Sequence, residues 1–228
     1  MTHIERSGSV DVGLALRQWQ EYVDVLRRRG WSVVDGVFIE DQVVVHGDVA
    51  VLCRSGAPER RAERAGVREA VEAYGYRTVE VEEPGTLDGG DVLKHGHVVW
   101  VGVGGRTNLA GVDQLRRAWD GHRVEVVPVP VSRVLHLKSA VTALPDGTVL
   151  GYPPLVDDVS VWPEFHAVPE ESGAHVVLLG GMSVLMSASA PRTAQLLAAR
   201  GHDVTTVDIS EFEKLEGCVT CLSVRLRG

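Results

Sequence analysis

One supersecondary unit recurs along this chain and limits its fold more than any other feature. Glycine-containing turns flanked by β-branched residues fall at 43–52, 92–101, 141–150 and 176–185. Each reads as a hairpin. The segments after these hairpins recur as well. After the first hairpin, Gly56-Ala57-Pro58-Glu59-Arg60 opens a helical run to about Tyr74, and Arg77-Thr78-Val79-Glu80-Val81 reads as a strand. After the second, Gly105-Arg106-Thr107-Asn108 opens a helix to about Trp119, followed by a strand from Val124. After the fourth, Ser189-Ala190-Pro191-Arg192 opens a helix to about Arg200, followed by a strand through Val204. Apolar residues keep helical spacing in these runs, as at Val67, Ala70 and Val71, with Pro near the starts and Gly past the ends. The third unit is interrupted by Tyr152-Pro153-Pro154 and Trp162-Pro163, so its helix is expected to be short or absent. The start of the chain supplies a further helix, Leu14 to Arg29, leading to Trp31-Ser32-Val33-Val34, and Cys221 to Leu226 reads as a C-terminal strand. A strand–turn–strand–helix–strand unit repeated around a ring is a propeller-like α/β solution. No linker breaks the pattern, and a single domain over residues 1–228 is expected.

Composition narrows the class of partner. The net charge of −8 argues against a nucleic-acid or anionic membrane surface, both of which need a basic field. No stretch approaches the ~18 apolar residues of a membrane span. The opening residues lack the basic-then-apolar order of a signal peptide. Three cysteines, Cys53, Cys218 and Cys221, do not make a disulfide framework, so a cytoplasmic location is expected.

Several polar segments break the apolar pattern. Asp35, Glu40 and Asp41 bracket an apolar stretch leading into the first hairpin, which favours a site for a cation over solvated surface acids. Leu87-Asp88-Gly89-Gly90-Asp91, taken alone, is a tight turn with Asx-type hydrogen bonds. His136, between two leucines, is taken alone a satisfied structural histidine. Cys218 and Cys221 have redox or zinc spacing. No second ligand pair accompanies them, and they lead into a strand and not a helix. One Cys, one His and several carboxylates are also the ingredients of nucleophilic catalysis.

Together these segments resemble the dimethylarginine dimethylaminohydrolases of the guanidine-modifying, or pentein, superfamily. The match is carried by Val37-Phe38-Ile39-Glu40-Asp41, Gly56-Ala57-Pro58-Glu59-Arg60-Arg61, Thr86-Leu87-Asp88-Gly89-Gly90-Asp91-Val92-Leu93, Gly105-Arg106-Thr107-Asn108, Leu135-His136-Leu137-Lys138-Ser139 and Thr220-Cys221-Leu222-Ser223. It runs from about Thr2 to Arg227. The resemblance implies a pentein α/β-propeller, five ββαβ modules around a pseudo-fivefold axis. It implies Cys221 as nucleophile, His136 as general acid and base, and Asp88 as the carboxylate orienting it. Asp35, Glu40 and Asp41 match positions that hold or organise the guanidinium. Arg60 and Arg106 match the pair that takes the substrate's α-carboxylate, and Ser139, Leu215 and Glu216 match positions lining the pocket. Cys218 matches no family role.

The activity implied is hydrolysis of Nω-methylated L-arginine to L-citrulline and an alkylamine, through a covalent thiouronium on cysteine, with no metal or organic cofactor. Relatives usually begin with a β-strand and lid loop ahead of the segment matching Thr2-His3-Ile4-Glu5, and carry several more residues between the positions of Val34 and Asp35. The expectation is therefore an open sheet edge beside Cys221, and a possible homodimer. Arginine or other guanidine deimination is the alternative chemistry, and a degenerate, non-catalytic pentein binding protein the alternative class.

Overall fold

The computed structural model describes residues 8–34, 36 and 38–226. In chain order the elements are α1 (Val12–Arg28), β1 (Val43–His46), β2 (Val49–Leu52), α2 (Val67–Ala73), β3 (Arg77–Glu80), β4 (Val92–His95) and β5 (Val98–Val103). They continue with α3 (Leu109–Ala118), β6 (Glu125–Pro130), β7 (Val141–Ala143), β8 (Val149–Gly151), β9 (Phe165–Ala167), β10 (Val176–Gly180), β11 (Ser183–Ser187), α4 (Pro191–Ala199), β12 (Asp203–Val207) and α5 (Ser210–Glu213). The strands form four three-stranded sheets, β1-β2-β3, β4-β5-β6, β7-β8-β9 and β10-β11-β12. In each, the second strand is central, antiparallel to the first and parallel to the third. A two-residue turn can join the first pair, whereas the parallel pair needs a crossover, supplied by α2, α3 and α4 in three sheets. In the β7-β8-β9 sheet the prolines leave only short 3₁₀ turns, Pro153–Leu155 and Val159–Val161.

The described residues fall into two compact units, one of 36, 38–138 and 221–226, the other of 8–34 and 139–220. In the first, β2 is buried on both faces, which explains its unbroken apolar run. Val49 and Val51 pack with Val99 and Val101 of β5, and with Leu115 and Trp119 of the α3 region. Ala50 and Leu52 face the other way, onto Val67 and Val71 of α2. In the second unit, Leu150, Val176, Val184, Met186 and Leu197 form the core. There α1 is tied down at its polar positions. Gln18 donates to Ser210 Oγ at 2.9 Å and accepts from the Glu211 amide at 3.0 Å, and the Tyr22 hydroxyl donates to the Val219 carbonyl at 2.9 Å.

Two expected strands are not formed. Trp31–Val34 is irregular, and Cys221 and Leu222 lie in a turn that continues as irregular chain through residue 226. The repeat supplies the reason. The second strand is the hydrogen-bonding partner of both its neighbours in all four sheets, and described residues 8–11, preceding α1, form no strand. The helical run after β2 is likewise split. Pro58–Arg64 is 3₁₀, and the α-helix begins at Val67 after Gly66, whose φ is 81°. Among the described residues no helix is long and apolar enough to cross a membrane.

Candidate active site

Short 3₁₀ turns immediately precede the first strand of every sheet, and three of them bring polar side chains together within the first unit. Ile39–Asp41 leads into β1, Gly89–Asp91 into β4, and Leu137–Ser139 into β7. The first two turns touch closely. The Gly90 amide donates to Asp41 Oδ1 at 3.0 Å. A Cβ at Gly89 would lie 2.0 Å from the Glu40 carbonyl oxygen, and one at Gly90 would lie 2.7 Å from both Asp41 Oδ1 and His136 Nδ1. The paired glycines are therefore required for close approach, beyond any need of the turn itself.

Asp88, with no exposed surface, is the hub. Its Oδ1 accepts the Gly56 amide at 3.1 Å. Its Oδ2 lies 3.1 Å from His136 Nε2 and accepts from Arg106 Nη1 at 3.0 Å. A buried carboxylate would be costly alone, and the guanidinium compensates its charge. His136 Nδ1, the ring nitrogen that Asp88 does not hold, stands 3.7 Å from Asp41 Oδ1. Burial works against a charged imidazole, but Asp41, Asp88 and Asp91 outweigh it and push His136 up to about 9. Burial would likewise raise Asp41, yet His136 and Arg60 hold its carboxyl below the ordinary range.

The remaining residues extend this cluster. Arg60 Nη1 donates to Asp41 Oδ2 at 2.7 Å, while its Nε and Nη2 bind Glu63. Lys138 Nζ donates to Glu40 Oε1 at 2.6 Å. The Glu40 amide donates to the carbonyl of Cys221 at 3.4 Å, tying the cysteine's backbone to the acidic turn. Cys221 is buried. Glu40, Asp41, Arg60, Asp88, Arg106, His136 and Cys221 thus belong to one unit. Ser139, Leu215, Glu216 and Cys218 belong to the other. There Ser139 offers its carbonyl to His175 Nε2 at 3.0 Å. Leu215 and Glu216 form the turn after α5, with Glu216 exposed at φ 57°, and Cys218 Sγ lies 3.1 Å from Thr220 Oγ1. Asp35 lies outside the described residues. Ligand atoms of Asp41, Asp88 and His136 fall within 4.8 Å of one another, a spacing that could suit a metal ion. Two guanidinium groups already supply the positive charge that these carboxylates attract.

Residue-by-residue reading of the sequence did not single out Glu63, Asp91, Thr107 or Lys138. Asp91 carried one signal, a second acid after two glycines, but an ordinary turn explains that spacing equally well.

No protein-family model matches the chain. A dimethylarginine dimethylaminohydrolase of Streptomyces coelicolor is 61% identical over 236 aligned residues, covering 100% of this chain and 91% of that protein. The chain belongs to the dimethylarginine dimethylaminohydrolase family. The Pseudomonas aeruginosa dimethylarginine dimethylaminohydrolase is 32% identical, over 96% of this chain and 91% of that one. A solved structure of the P. aeruginosa protein, a cysteine-to-serine variant complexed with citrulline, superposes with a TM-score of 0.89 at 28% identity. It covers 98% of this chain and 93% of that one. The fold is accordingly that of the family, the pentein α/β-propeller, and its repeating unit is the strand–turn–strand–helix–strand module.

Proposed function

We propose that this chain hydrolyses Nω-methylated L-arginine to L-citrulline and dimethylamine or methylamine. The observation that carries the reading is the buried Asp88–His136 pair, in a unit where Glu40 holds the backbone of Cys221, in a chain of this family. A guanidinium carbon is deactivated by delocalisation, so a strong nucleophile held close in a dry site is required. The Cys221 thiolate attacks that carbon and forms a C–S bond. His136, charged at neutral pH, gives a proton from Nδ1 to the departing dimethylamine as the C–N bond breaks, leaving a thiouronium on Cys221. The neutral ring then takes a proton from water, which attacks the same carbon. Collapse breaks the C–S bond as the hydroxyl proton of the adduct passes to solvent, returning the thiolate and releasing citrulline. Asp88 holds Nε2 and stabilises the imidazolium throughout, the division of labour of a catalytic triad.

Glu40 and Asp41 supply negative charge for the guanidinium. Arg106 and Arg60 take the α-carboxylate. Arg106 Nε is buried without a hydrogen-bond partner, a donor that a substrate carboxylate would satisfy. Arg60 is engaged on all three nitrogens, and its exchangeable partner is Glu63, whose side chain is 46% exposed. Residues 1–228 act as one catalytic domain in a reducing cytoplasm, a location that the small, odd number of cysteines supports. A homodimer is expected, and light scattering tests it.

Incubation with asymmetric dimethylarginine, arginine and agmatine separates the candidate chemistries. Equal amounts of citrulline and dimethylamine from the first, with little turnover of the others, are expected. Higher kcat/KM for arginine with ammonia release would make the chain a deiminase, and no turnover of any of the three would leave a binding protein.

A further inference from the structure

Behind the proposed catalytic pair lies a second buried acid that touches no reacting atom. Asp91 ends the Gly89–Asp91 turn and is 2% exposed. Its two oxygens are both committed. Oδ1 accepts the Leu137 amide at 2.9 Å, and Oδ2 accepts the Thr107 hydroxyl at 2.6 Å. The Thr107 oxygen in turn accepts the Asp88 amide at 3.1 Å. One carboxylate therefore grips the peptide joining His136 to Leu137 and, through a fully buried threonine, the backbone of Asp88. Strand β5 leaves room for this arrangement. A Cβ at Gly102 would lie 2.7 Å from Asp91 Oδ1 and 2.9 Å from the Leu137 Cβ.

We infer that Asp91, acting with Thr107, is a positioning residue that sets the distance and orientation between His136 and Asp88. The inference rests on the assignment of those two residues as acid–base and orienting groups. A neutral side chain could brace a turn without the cost of burying a charge, so the carboxylate needs a reason. It has two here. A carboxylate accepts from both sides at once, which fixes the hydroxyl of Thr107 toward Asp91 and leaves its lone pair for the Asp88 amide. It also adds negative charge behind the imidazole. The charged groups facing His136 are Asp41, Asp88 and Asp91, with Arg106 beyond Asp88. Those facing Asp91 are His136 and Asp88. Burial, with the neighbouring Asp88 charge, raises Asp91 to about 6 against the opposing pull of His136, Thr107 and the Leu137 amide.

The test compares full-length Asp91→Asn, Thr107→Val and Thr107→Ser with the unmodified chain, each first shown to be folded by circular dichroism. Partners that orient the ligands of a metal site are worth about 10–100-fold when removed, and the same factor is expected for a partner that orients a reacting histidine. Asp91→Asn is expected to lower kcat on asymmetric dimethylarginine by about that factor, with KM within about twofold. Thr107→Val is expected to lower kcat less, and Thr107→Ser to restore it, since only the hydroxyl is needed. NMR titration of the unliganded proteins adds a readout independent of turnover. The His136 midpoint should fall by about one pH unit in Asp91→Asn, because an opposing charge is removed. Unchanged kcat and an unmoved His136 midpoint in Asp91→Asn, or a Thr107→Ser as impaired as Thr107→Val, overturns the proposal. If the unmodified chain releases no citrulline, the activity reading falls instead, and the titration still decides the role of Asp91. If Asp91→Asn does not fold, the Thr107 pair decides it.

Discussion

The turn that opens the second sheet and the turn that opens the fourth occupy the same place in the repeat, yet their acids do different work. Ahead of β4, Asp88 binds His136 and Arg106, and Asp91 binds Leu137 and Thr107, all through buried contacts. Ahead of β10, Glu170 precedes the Glu171–Ala174 turn and turns its carboxylate to the start of α4. It accepts the amides of Arg192 and Thr193 at 2.9 and 2.7 Å, and the Thr193 hydroxyl at 2.8 Å. The helix begins with no cap from its own Ala190, so Glu170 supplies one from a distance. The same backbone device thus holds, in one unit, the carboxylate proposed to orient His136, and in the other a helix cap. What separates them is the surroundings. Asp88 faces two cationic side chains, and Glu170 faces orphan helix amides.

Breaking each turn should therefore give different symptoms. The largest effect is expected at Cys221, the proposed nucleophile. Cys221→Ser should lower kcat by about 10⁴-fold or more, whereas Cys218→Ala, in the other unit, should retain most activity in the same citrulline assay. Next comes the comparison itself. Asp88→Asn should lower kcat by about 10²–10⁴-fold, because the imidazole loses the partner that fixes its tautomer. Glu170→Gln should leave kcat within about twofold while costing about 1 kcal/mol in urea unfolding, as for a lost helix cap. An Asp88→Asn enzyme of near-normal rate, or a Glu170→Gln enzyme crippled in kcat, would erase the distinction.

Arg106→Ala should weaken binding of methylated arginine more than binding of its decarboxylated analogue. Equal losses would assign Arg106 to neutralising Asp88 alone.

The smallest effect is on stability against pH. His136 is raised from an ordinary 6.5 to about 9, so between those values the folded chain holds a proton that the unfolded chain has released. Its contribution is fully present below the unfolded value and is lost as pH rises through about 9. Urea midpoints should fall across that window, and His136→Gln should flatten the fall. A slope unchanged by His136→Gln would show that other groups set it.

Much of the fold was legible because its signals are local. All four hairpins form where glycine turns separate β-branched runs, and prolines remove the helix from the third unit as expected. The strands expected at Trp31–Val34 and Cys221–Leu226 do not form, because a strand needs a partner and partners are not local. The site divides in the same way. Asp88, His136 and Cys221 could be named through the family's motifs. The pairing of Arg106 with Asp88 spans 18 residues, that of Lys138 with Glu40 spans 98, and that of Leu137 with Asp91 spans 46. No spacing rule in the sequence links such residues, so the contacts of Lys138 and Asp91 emerge only where the turns lie side by side.

The central claim is that Cys221 carries the covalent step while His136 supplies the proton and later activates water. It is tested most directly by acid-quenching the enzyme during turnover of asymmetric dimethylarginine and mapping the peptides by mass spectrometry. A His136→Ala variant, exposed to a substrate whose leaving group needs no protonation, should hold the same intermediate longer. The account predicts an adduct of substrate less its amine on the peptide bearing Cys221, at that sulfur alone. An adduct on Cys218 or Cys53, or steady citrulline release from a Cys221→Ser protein, would contradict it.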